Sequence, residues 1–201
     1  MYKHLALSLL LVVNTGCARP PRSVPDPAAR DRRVQKDAWD VRLPSVYKFQ
    51  DNQFALAEPF KLLLPGRSPI GVPRGFVTDY ASIPGPLRRF FRGRHDLPAL
   101  VHDYLYWRQC PQDAADAIFY EALTAMQLTP GERDLMYTAV RDFGAKALRN
   151  NVRERAAGLP RVIPGDSLPP RADDWKHLRA GLQRDGVSLD SLDAAPPSDC
   201  P

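Results

Sequence analysis

The residues best suited to chemistry lie in LVHDYLYWRQC, residues 100–110, and AADAIF, residues 114–119. His102 stands beside Asp103. Tyr106 follows one helical turn after His102, and Asp116 falls on the next apolar-periodic segment. A carboxylate held on one imidazole nitrogen fixes the tautomer and leaves the other nitrogen to take a proton from water. On that logic His102 is a candidate base, Asp116 its orienter and Tyr106 a brace. Asp103 then points elsewhere and is free to ligate a hard cation such as Ca²⁺, which prefers oxygen donors and could hold a developing oxyanion.

The elements that must position these groups are two helices. One spans about 97–108, with an aliphatic face of Leu97, Leu100, Val101, Tyr104 and Leu105. At about 100° per residue, His102, Asp103 and Tyr106 fall on the side away from that face. The second begins near Pro111, which suits a first helical position, and carries Ala115, Ile118, Phe119, Ala122, Leu123 and Met126 at helical spacing. The few residues between them predict an antiparallel hairpin, which lets Asp116 approach His102. Three readings stay open: a functional contact, a structural buried network, or a solvated face with no contact.

A third helix is predicted from Thr129, where Thr129, Pro130 and Glu132 form a capping box. Its expected buried stripe is Leu135, Met136, Ala139, Val140, Phe143, Ala147 and Leu148. Upstream, VRL, VYKF, FAL and FKLLL, within 40–64, read as two or three strands joined by proline and glycine turns, and IGVP and GFVT as more strand or extended chain. TDYASIPGPLRRFF reads as a loop entering a short helix. The fold expected is therefore α+β: a small N-terminal antiparallel β element, then a three-helix unit containing the hairpin. Thr78, Asp79 and Ser82 form a second polar cluster, read either as local caps or as the rim of the His102 site. Arg141 and Asp142 are further candidates on the third helix.

The ends of the chain read differently. Of 201 residues 21 are proline, concentrated toward both termini, so the folded part is shorter than the chain. Residues 5–13, LALSLLLVV, are too short to span a bilayer, for which roughly 20 residues are needed. Followed by NTGC, they resemble a bacterial lipoprotein signal, which implies lipidation of Cys17 and export. Asn14 stands where that pattern usually has leucine. Ala18 implies no inner-membrane retention, hence an outer-membrane anchor in a Gram-negative cell, with a periplasmic or secreted protein as the alternative. The divisions expected are a signal over 1–17, a Pro/Arg-rich tether over 18–38, a domain over 39–157, and a Pro-rich extension with a disordered tail over 158–201. The membrane is the expected partner. The net charge of +5 comes from dispersed arginines and gives no nucleic-acid signature. Cys110 and Cys200 are left as an open pairing, and no thiol spacing suits a metal.

Two family resemblances follow from these motifs. His-Asp-x-x-Tyr with a second-helix Asp resembles secreted phospholipase A2. The resemblance implies His102 as catalytic base, Asp103 as calcium ligand, Tyr106 as support and Asp116 as the histidine's orienter. AADAIF is similar to the Ala-Asp-x-x-Phe region of compact viral phospholipase domains. GFVTDYASIPG, 75–85, departs from the glycine-rich calcium loop, and the paired cysteines of the secreted enzymes are absent. A broader resemblance joins VPRGFVTDYASIP, LVHDYLY, AADAIF and RDLMYTAVRDFG in order over about 70–148. These resemble DUF1353, a family of bacteria and tailed phages, which implies a small α+β domain and no assigned activity. His95-Asp96 with His102-Asp103 makes a poor match to an HD phosphohydrolase. Two functions stand: a metal-assisted ester hydrolase acting on a substrate such as phospholipid, or a non-enzymatic envelope or phage-associated module in which the His-Asp-Tyr-Asp set is structural.

Overall fold

The computed structural model describes residues 44–80, 96–168, 170, 173–187 and 200. The signal, Cys17, the tether, the strand expected at 41–43, Ser82 and the helix expected near 86 lie outside these residues.

The β-type runs form five short strands: β1 (Val46–Lys48), β2 (Phe54–Leu56), β3 (Phe60–Leu62), β4 (Ile70–Val72) and β5 (Val77–Thr78). They make two antiparallel sheets, ordered β1-β2-β5 and β3-β4. Ala55 pairs with Tyr47 on one side and Val77 on the other, and Lys61 pairs with Gly71. Gly75 is required where it stands. Its φ is +82°, and a Cβ would sit 2.2 Å from the Ile163 carbonyl oxygen. That close approach lets 161–163 run along β5, with Val77 N–H bonded to Arg161 O and Ile163 N–H to Gly75 O.

The helices follow: α1 (Asp96–Trp107), α2 (Gln112–Ala125), α3 (Pro130–Ala156) and α4 (Trp175–Arg184), with a 3₁₀ turn at Gly165–Ser167 between the last two. The capping box at Thr129 forms: Thr129 Oγ1 accepts from Glu132 N–H, and the Glu132 carboxylate accepts from Thr129 N–H. Asp174 caps α4 by accepting from His177 N–H at 2.8 Å.

α1 is the central element. Leu97, Leu100, Val101 and Leu105 pack with Leu56, Leu62 and Phe76 of the β half and with Ala115, Ile118 and Ala122 of α2. Phe119 and Leu123 of α2 meet Met136 and Val140 of α3. Trp175 and Leu182 of α4 cover Phe49, Ala55 and Val77. The side of α1 expected to face away from the aliphatic centre is buried as well: His102 and Tyr106 are each 2% exposed. The reason is that α2 and α3 cover the flank opposite the sheet.

The buried stripe expected for α3 needs correction. Leu135 and Phe143 are 46% and 68% exposed rather than part of the α3 core stripe. The buried side of α3 instead carries Arg133, Met136, Tyr137, Ala139, Val140 and Gly144. Leu135 stands about 100° round the helix from Met136. The expected Phe143 and Ala147 are exposed past Arg141, where the start of the 14-residue α2 meets the 27-residue α3. Cys110 and Cys200, left open by the sequence, form a disulfide that ties residue 200 to the turn between α1 and α2.

Candidate functional site

Antiparallel pairing of α1 and α2 brings Asp116 to His102. The Nε2···Oδ1 distance is 2.8 Å, and Asp116 is fully buried. Tyr106 Oη donates to the same carboxylate oxygen at 2.7 Å. The second oxygen receives a longer contact from Gln112 Nε2 at 3.5 Å, and that amide also donates to the Arg141 carbonyl at 3.2 Å. A buried carboxylate needs such donors. As a carboxylate Asp116 only accepts, so His102 carries its hydrogen on Nε2 and, when neutral, its lone pair on Nδ1. The imidazole lies against the Tyr106 ring, with centroids 4.1 Å apart, and against Phe119 at 5.0 Å. Burial first, and then the Asp116 charge, push the Tyr106 hydroxyl pKa far up. Tyr106 therefore stays protonated and serves as a donor.

Asp103 points to another neighbour. Thr78 Oγ1, on β5, donates to Asp103 Oδ2 at 2.5 Å, and the same hydroxyl accepts from Tyr80 N–H at 3.0 Å. Burial raises the Asp103 pKa above the ordinary carboxylate range, and the Asp79 charge adds to this. The Arg161 charge and the Thr78 bond oppose it. Burial, with Asp96 and Asp103 nearby, pushes the Tyr80 hydroxyl up to about 12.

These groups meet at a cavity of about 490 Å³ lined by Asp79, His102, Asp103 and Tyr106. Ala139, Val140, Phe143 and Ala147 of α3 supply an apolar wall, and Arg161, Trp175 and Arg179 a third side. Arg161 donates Nε to Val77 O and Nη1 to Asn151 Oδ1, each at 2.9 Å, so neutral acceptors hold its charge. Arg179 instead pairs with Glu154 at 2.7 Å. The pocket has the size and mixed lining of a small-molecule site.

Residues 54–140 match the model of a family described as a protein of unknown function, DUF1353. This segment is a DUF1353 domain. No curated protein and no solved structure matches the chain.

The DUF1353 segment holds His102, Asp103, Tyr106, Asp116, Thr78 and Asp79. Of these, Thr78 and Asp79 are at the site as a hydrogen-bond partner of Asp103 and a cavity wall, and Ser82 lies outside the described residues. Arg141 reaches the site through its backbone carbonyl, which accepts from the Gln112 amide. Sequence reasoning missed Gln112, Gly144, Asn151, Arg161, Trp175 and Arg179. Gly144 left a signal, since a glycine inside a helical pattern often marks close packing. Here a Cβ would stand 2.2 Å from Tyr106 Oη. For a metal, Asp103 and Asp79 are the nearby carboxylates. Among the described residues no three His, Cys, Asp or Glu side chains gather as a metal site. Nor is any described helix long and apolar enough to cross a membrane.

Proposed function

We propose that this DUF1353 protein is an exported, envelope-associated ester hydrolase with phospholipid as its substrate class. One observation carries the reading: a fully buried Asp116 orients His102 from behind while His102 lines an open cavity. His102 Nδ1 takes a proton from water, and Asp116 stabilises the imidazolium that results. The water oxygen adds to the ester carbonyl; collapse of the tetrahedral adduct breaks the acyl C–O bond, and the His102 imidazolium returns its proton to the leaving alkoxide. Tyr106 holds the shared oxygen of Asp116, so the carboxylate cannot turn away from the imidazole. The apolar wall of α3 suits an acyl chain, and Arg161 suits an anionic group. The proposed cofactor is Ca²⁺, with Asp103 as its protein ligand and Asp79 adding negative charge beside it. Such an ion, if held there, would supply charge for the oxyanion. The proposed location draws on the lipoprotein-like N-terminus, with Cys17 as the lipidated residue, and on the Cys110–Cys200 disulfide, a bond favoured by oxidising compartments.

A second reading has its own support. His102 is only 2% exposed and Asp116 not at all, which suits a polar lock between α1 and α2 in a non-enzymatic envelope or phage-associated module. The deciding experiment measures acyl release from phospholipid micelles with Ca²⁺ or a chelator, for the wild type and His102→Gln. The hydrolase reading expects release that falls at least a hundredfold in the variant while its circular dichroism is kept. No release from the wild type, or unchanged release from the variant, rejects it. Activity that survives the chelator removes Ca²⁺ from the scheme.

A further inference from the structure

The outer side of α3 bears a row of cations that the hydrolytic site does not use, next to the outermost residue of its apolar wall. Phe143 is 68% exposed at the cavity mouth, where Ala147 and Asn150 follow it along the same edge. Beside that edge, Lys146, Arg149 and Arg153 recur at three- and four-residue spacing and share one exposed side of the helix. Arg153 Nη2 donates to Asn150 Oδ1 at 3.0 Å, and none of the three cations forms an ion pair among the described residues. From Phe143 to Arg153 the sequence FGAKALRNNVR contains no acid. Asp142 stands at the near end of this side and is outnumbered by the three cations.

We propose that this side of α3 docks the cavity mouth onto an anionic lipid surface. The arrangement fits that partner in two ways. Basic side chains close to an anionic leaflet are attracted by its surface potential. An exposed aromatic at the same level enters the boundary between headgroups and acyl chains, which a polyanion without an apolar layer does not offer. Phe143 also continues inward as the apolar wall of Ala139 and Val140, so a chain leaving the bilayer meets a continuous apolar path. The inference deepens the hydrolase reading by naming where its substrate comes from, yet the surface stands on its own residues.

The test uses the full chain and vesicles of phosphatidylcholine, alone or with about one third phosphatidylglycerol. Replacing Lys146, Arg149 and Arg153 together by Gln is expected to lower partitioning onto the mixed vesicles about a hundredfold, at roughly one factor of five per charge. Residues 1–38 are the same in both proteins, so the difference belongs to the helix. Phe143→Trp is expected to be quenched by lipids brominated on the acyl chain. Val152→Trp, about half a turn round the helix from it, is expected to show little quenching. Unchanged partitioning of the triple variant, equal quenching at the two positions, or equal affinity for duplex DNA overturns the proposal. Hydrolysis of water-soluble p-nitrophenyl butyrate is followed in parallel. If neither ester is hydrolysed but charge-dependent partitioning persists, the hydrolase reading falls and the lipid-facing side stands. If butyrate is hydrolysed and partitioning ignores the three charges, the reverse holds.

Discussion

Gly144→Ala tests whether α3 clamps the Tyr106–Asp116 bond. The added Cβ would lie 2.2 Å from Tyr106 Oη, 3.1 Å from its Cζ and 3.2 Å from Cε2. Ordinary contact begins near about 3.5 Å, so the hydroxyl is about 1.3 Å too close. Tyr106 has little room to yield, because it is 2% exposed and its ring lies against His102. Moving Oη by that amount would break its 2.7 Å bond to the carboxylate. Losing a hydrogen bond to a charged group costs about 1.5–3 kcal/mol, and overpacking without losing it costs about 1–3 kcal/mol. Helix propensity works the other way, favouring Ala over Gly by about 1 kcal/mol. The net expectation is destabilisation of about 0.5–2 kcal/mol where the hydrogen bond is lost, read as a lower urea midpoint. Propensity alone predicts stabilisation, so the sign decides. In a Tyr106→Phe background the oxygen is gone, and the same substitution is expected to be near neutral. An equal cost in both backgrounds, or a stabilised single variant, refutes the clamp.

Two further predictions concern groups at the edge of the site and the end of the chain. Asp103 has a folded pKa above its unfolded value, so the folded state binds its proton more tightly. The stability it contributes is full below the ordinary carboxylate pKa and is lost as pH rises through the raised folded value. Asp103→Asn keeps an acceptor for Thr78 and is expected to stabilise the protein near neutral pH but not near about pH 3. Urea melts across that range check it, and a gain that is constant with pH would count against the assignment. Reducing Cys110–Cys200, or replacing Cys200 by Ser, opens a 90-residue span and is expected to cost about 2–4 kcal/mol. Thermal melts with and without reductant read this directly, and an unchanged midpoint contradicts it.

Local features carried most of the fold into the sequence. Pro- and Gly-bounded runs of β-type residues became β1 to β5, and the Thr129 box set the start of α3. The Asp116–His102 contact was legible because a short turn between two amphipathic helices leaves few ways to pack them. The far wall of the cavity was not legible. Arg161 meets Val77 across 84 residues, and nothing periodic in GLPRVIPGDS announces that it lies along β5. Phe143 was misplaced because periodicity records which residues could share a face and not how much of that face a shorter neighbour covers. The partner of Cys110 depended on a return of the chain that no local pattern encodes.

The join between β5 and residues 161–163 has an evolutionary consequence. His102 and Asp116 sit within the family segment, whereas Arg161, Trp175 and Arg179 arrive from beyond it. Drift in the latter stretch can therefore reshape what the cavity admits while the paired helices keep their geometry. Under the hydrolase proposal, recognition and reactivity then sit on separate pieces of chain, and proteins that share the first need not share the second.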